Sequence, residues 1–122
     1  MIARYSDPNA LELAGDSDEL ERLRSEISKS SFVEWSEGLR QHDPAPYSLA
    51  LERLLIRSTE GPVQVIVIGA ALRITGSREN LSRFATFLSP EPGGHQHFEY
   101  YDGNHYVDSK SLPVVVSCTS AT

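Results

Sequence analysis

The chain carries one cysteine, Cys118, among 122 residues, so no internal disulfide can form and a reducing, cytoplasmic setting is expected. Near the end of a valine-rich run, that thiol reads as a small buried hydrophobe. No apolar stretch approaches the roughly 20 residues that a membrane-spanning helix needs, so no membrane association is expected. Met1 to Pro8 lacks the basic-then-apolar order of a secretory signal. Clustered Lys and Arg are missing as well. The net charge is −6, and residues 1 to 60 hold twelve acids against seven bases, so phosphates find little to neutralise them and nucleic-acid binding is not expected. There is no phosphate loop, dinucleotide fingerprint or paired-cysteine metal site. Ser109, Ser111 and Ser117 have no nucleophile-elbow context, which leaves a His–Glu99 acid–base pair without an activated nucleophile. Neither an enzyme nor a cofactor is expected. The length fits one domain, 1–122, able to bury a core of its own.

What the chain does contain is a repeat. Ala10-Leu11-Glu12-Leu13-Ala14-Gly15 precedes a helical pattern with Leu20, Leu23 and Ile27. Sixty-one positions on, Ala71-Leu72-Arg73-Ile74-Thr75-Gly76 precedes Leu81, Phe84 and Leu88. A fixed spacing between such matches marks a duplicated supersecondary unit.

Each half reads as a hairpin, a helix and two further strands. In the first, Ile2 to Tyr5 turns through Asp7-Pro8-Asn9 into Ala10 to Ala14, and Asp16 with Glu19 makes a capping-box pattern. Phe32 to Trp35 fits a strand or a helical turn, Glu37 to Pro46 a loop, and Leu51 to Ser58 a strand or a helix. In the second, Val63 to Ile68 turns at Gly69-Ala70 into Ala71 to Thr75, and Ser77 caps a helix. Pro90, Pro92, Gly93 and Gly94 stop that helix. His95 to Tyr101 alternates as a strand, Asp102-Gly103-Asn104 turns it, His105 to Val107 begins the return, and Leu112 to Cys118 closes the chain. Gly15 and Gly76 are expected to serve tight strand-to-helix turns. The prediction is an α+β domain: a mostly antiparallel sheet with two helices packed on one face, built from duplicated hairpin-helix-strand-strand units, 1–60 and 61–122.

Functional candidates lie where the halves differ. Alternation sets His95, His97 and Glu99 on one strand face and Phe98 and Tyr100 on the other. Across the expected hairpin, Tyr101 lies opposite His105, which joins the histidine face. His97, Glu99, Tyr101 and His105 then form one surface for a protein partner. Alternatively, His95, His97, Glu99 and His105 form a zinc or small-ligand site. Trp35 has the amphipathic ring favoured at interface hot spots, although the same ring also anchors cores. Asp16 and Glu19, with Asp18, Glu21 and Glu26, make an acidic helix start that offers a second contact surface or simply complements the helix dipole. Pro113 to Cys118 is a third candidate, an edge strand able to pair with another copy.

Val65 to Gly76, the Leu81/Phe84/Leu88 helix, His95-x-His97-Phe98-Glu99-Tyr100-Tyr101 and Ser109-x-Ser111-Leu112-Pro113-Val114-Val115 together resemble the immunity protein 32 family of bacterial polymorphic toxin systems. The resemblance covers roughly residues 63 to 118. It implies a small cytoplasmic protein that neutralises a cognate toxin by binding it, and an acidic balance suits a basic toxin such as a nuclease.

Overall fold

The computed structural model describes residues 1–88 and 91–119. Strands β1 (Ile2–Ser6) and β2 (Ala10–Gly15) form an antiparallel hairpin with Ala3 beside Leu13. Helix α1 (Ser17–Ile27) starts at Asp16, whose carboxylate accepts from the Glu19 N–H at 2.8 Å while Glu19 Oε1 accepts from the Asp16 N–H at 3.1 Å. This reciprocal cap satisfies two otherwise orphaned donors. Leu20, Leu23 and Ile27 bury one stripe of the helix. Then come β3 (Glu34–Gly38), β4 (Leu49–Ala50) and β5 (Arg53–Ser58): the first ambiguous segment is strand from Glu34 and runs into the expected loop at Glu37–Gly38, and the second is strand from Arg53. The second hairpin, β6 (Gln64–Ile68) and β7 (Ala71–Gly76), leads through Ser77 into α2 (Arg78–Ala85) and a 3-10 turn, Thr86–Leu88. Strands β8 (His95–Phe98) and β9 (Val114–Cys118) complete the chain. Pro90 lies outside the described residues.

The fold is α+β, but its strands form two sheets rather than one, with orders β4-β1-β2-β9-β8 and β3-β5-β7-β6. The physical reason lies in the alternation. Leu11/Leu13, Val114/Val116, Leu54/Ile56 and Leu72/Ile74 give each sheet one apolar face, and these two faces plus both helix stripes close a single buried core. Each hairpin takes its parallel partner from the other half of the chain: β2 pairs with β9, and β7 with β5. The registers correspond. Gly15 faces Cys118 as Gly76 faces Ser58, and Gln96 faces Val116 as Trp35 faces Ile56.

The loops correspond as well. The segment after β3 runs along β1, where the Leu51 N–H donates to the Ala3 carbonyl at 2.9 Å. The segment after β8 runs along β6: the Val63 N–H donates to the Tyr106 carbonyl at 2.7 Å, and the Asp108 N–H to the Val63 carbonyl at 2.8 Å. That docking overturns the expected His105 hairpin. Strand β8 stops at Phe98, and Val107 forms a parallel bridge with Val63 instead of returning beside Glu99. The expected edge at Pro113 to Cys118 is also corrected, because β9 lies between β2 and β8. Gly15 and Gly76 have no positive φ, so turn geometry is not their reason. Close approach is: a Cβ on Gly76 would meet the Val63 Cα at 3.0 Å. Among the described residues no helix is long and apolar enough to cross a membrane.

Candidate functional site

An open cleft of about 410 Å³ forms where the loop after β8 meets α2. Helical spacing brings Glu79 and Arg83 to the same rim, 4.0 Å apart, with Asn80 beside them. The loop contributes Tyr101, His105 and Tyr106. Its shape is held from within by Asn104, which is only 5% exposed. The Asn104 backbone N–H donates to the Tyr101 carbonyl at 3.0 Å, and its Oδ1 accepts from the Tyr106 N–H at 3.2 Å. Its Nδ2 donates to the Glu99 carbonyl at 3.4 Å. Gly103, at φ 88°, supplies the left-handed residue that this turn requires.

The Arg83 guanidinium stands 5.5 Å from the centre of the Tyr106 ring, within reach of a cation–π attraction. Burial first, and the neighbouring Tyr101 phenol second, raise the Tyr106 hydroxyl above its ordinary range, with Asn104 and Arg83 opposing. Tyr106 therefore remains a neutral donor at physiological pH. Tyr101, by contrast, is 60% exposed. The cleft thus offers a cation beside a carboxylate, an imidazole and two phenols to whatever binds it.

His97 and Glu99 lie elsewhere. They line a smaller cleft of about 240 Å³ with Tyr47, Pro113 and Val115, and no residue lines both clefts. Tyr47 stacks on Arg4, whose guanidinium carbon lies 4.4 Å from the ring centre. Arg4 Nε donates to Glu12 at 2.7 Å, its Nη1 donates to the Ala45 carbonyl at 2.9 Å, and Ser117 donates to Glu12 at 2.9 Å. This network fixes the Pro44–Ser48 segment on the five-stranded sheet. The His95 and His97 rings meet edge to face at 5.1 Å, both exposed.

The expected single surface of His97, Glu99, Tyr101 and His105 is therefore two, because the chain leaves β8 after Phe98 and crosses to α2 and β6. For the same reason His105 does not join His95, His97 and Glu99. Among the described residues no three His, Cys, Asp or Glu side chains come together to hold a metal ion.

Trp35 lies on the core side of β3, half-buried, with its indole N–H donating to Glu37 at 2.9 Å. It reads as an edge anchor of the core rather than an offered hot spot. Asp16 and Glu19 are committed internally to the helix cap, and Glu19 also pairs with the Met1 ammonium. Burial works against ionised Glu19, but that ammonium and the Asp16 N–H outweigh it and hold the carboxyl below its usual range.

No family model matches the chain, and neither does any curated protein or solved structure. Sequence reasoning missed Arg83, Asn104 and Tyr47. Arg83 lies on the exposed side of α2, outside the apolar stripe by which that helix is recognised. An Asn after Gly in a turn signal gives no hint that its side chain is buried.

Proposed function

We propose that this chain is a non-enzymatic binding protein, most concretely a cytoplasmic immunity protein that neutralises a cognate bacterial toxin by covering it. The observation that carries the reading is Tyr101, an exposed aromatic on a loop pinned by buried Asn104, flanked by Arg83 and His105. A large side chain carried on a pinned backbone loses less freedom on association than one on a mobile loop, which suits a hot spot. The acidic balance of the chain favours a basic toxin through steering of the encounter. The His-x-His-aromatic resemblance to the immunity protein 32 family supports the same assignment. On this reading His97 and Glu99 contribute a second, smaller contact.

Co-expression with each toxin gene found beside this one is the test. Rescue of growth is expected, and Tyr101→Ala with His105→Ala should weaken the complex by 1.4 kcal/mol or more, about tenfold in affinity. Absence of both rescue and complex would sink the proposal. The sixty-one-residue spacing and the corresponding registers also support reading the halves as copies of one unit. A tandem of two 61–122 segments should then fold cooperatively, and an unfolded product would count against duplication.

A further inference from the structure

The four-stranded sheet turns one face to the core and leaves the other open, and the open face is basic. Paired residues point to the same side of a sheet, so the registers define this face row by row. Arg53 lies beside Ala71 and Ile68, Leu55 beside Arg73 and Ile66, and Arg57 beside Thr75 and Gln64. Arg53 and Arg57 of β5 and Arg73 of β7 thus share one surface in an acidic chain. Arg57 is paired with Glu34 at 2.7 Å, and among the described residues Arg53 donates only to the Ser36 hydroxyl, also at 2.7 Å. Arg73 makes no ion pair among the described residues, and its Nε is buried without a hydrogen-bond partner. Arg73 itself is half-buried, so its guanidinium lies at this surface with one donor unmatched. Aliphatic groups lie between the charges: Leu55 and Ile66 are half-buried, and Ile68 is 52% exposed.

We infer that this face docks an acidic protein segment in which Asp or Glu alternate with aliphatic residues. Carboxylates suit the guanidinium forks because both are planar and meet through two parallel hydrogen bonds. The aliphatic rows favour a protein over a nucleic acid, since bases seek aromatic platforms and Trp35 lies on the opposite side of the sheet. An acidic partner here differs in charge from the toxin proposed for the Tyr101 cleft, so the inference stands or falls independently of that reading.

The test uses the isotopically labelled full chain and three probes: a peptide of about twelve residues alternating Glu and Val, its Lys-for-Glu counterpart, and a single-stranded oligonucleotide of similar length. The Glu peptide should shift the amides of β3, β5 and β7, bind more weakly as salt rises, and lose about tenfold in affinity in Arg53→Gln/Arg73→Gln. Should Arg73→Gln unfold the chain, Arg53→Gln with Arg57→Gln carries the test, both side chains being exposed. No binding of the Glu peptide, binding indifferent to these substitutions, or equal binding of the Lys peptide overturns the inference. Preferential binding of the oligonucleotide overturns it in favour of nucleic acid.

Discussion

Replacing Phe98 with alanine removes the side chain that ties β8 to α2. Phe98 is 1% exposed and meets Phe84 and Phe87 edge to face, with ring centres 4.9 and 5.0 Å apart. Burying such a side chain contributes about 1.5–3 kcal/mol, and each aromatic pair adds about 0.5–1.5 kcal/mol. Part of each pair energy belongs to the burial already counted, so a loss of about 4 kcal/mol is expected, inside the roughly 3–5 kcal/mol range for Phe→Ala in cores. The neighbouring His97 is exposed, and His97→Ala should change stability by no more than about 0.5 kcal/mol. Urea unfolding followed through Trp35, the only tryptophan, measures both. With a slope of about 2 kcal/mol per molar urea, Phe98→Ala moves the midpoint down by about 2 M and His97→Ala barely moves it. A loss below about 1.5 kcal/mol for Phe98→Ala, or comparable losses for both variants, would refute the inward–outward assignment of this strand.

The two repeated glycines should behave differently: Gly76→Ala drives a Cβ against the Val63 backbone at 3.0 Å, whereas Gly15→Ala meets the Glu19 side chain at 3.3 Å. Thermal melts should therefore fall further for Gly76→Ala, and the reverse order would show that the β6 edge yields easily. Asn104→Leu strips the loop of its internal acceptor and should cost about 1–3 kcal/mol, with hydrogen exchange at Tyr106 rising more than in the β2–β9 core; unchanged protection would count against the proposed pinning. Since the folded Glu19 carboxyl titrates below its ordinary range, its contribution is present above the unfolded-state value and lost as pH falls through the lower folded-state value. Glu19→Gln should flatten stability over that acidic window, and an unchanged pH profile would remove the role given to the Met1–Glu19 pair. Residues 1–60 alone lack the parallel partners of both β2 and β5 and should show no cooperative unfolding, while mixing them with 61–122 should restore it; a stably folded half would contradict the exchanged pairing.

Much of the local structure was legible because it depends on neighbours in sequence. The Asp16–Glu19 cap, the Ser77 cap, both hairpins and both buried helix stripes follow from residue spacing alone. The site was legible only in part. Tyr101 and His105 line one cleft, though not as the expected hairpin pair, and Glu99 and His97 line another, because the alternation of β8 does not extend past Phe98. Nothing within residues 99–107 announces that the chain will spend its hydrogen bonds on β6 instead of on itself. The arginine face escaped notice for a related reason: Arg53 and Arg57 share a face only if their segment is a strand, and Arg73 joins them only through the β5–β7 register.

By itself the sequence determined both helices with their starts, the two hairpins β1–β2 and β6–β7, and which face of these elements is apolar. Those are consequences of backbone sterics and of side-chain periods of 3.6 and 2. Tertiary structure alone decided that the strands divide into two sheets, that each hairpin pairs with strands from the other half, and that Arg73 joins Arg53 and Arg57 on one open face. Long-range pairing is selected by closing one common core, and that choice is energetic and collective. No window of sequence contains it.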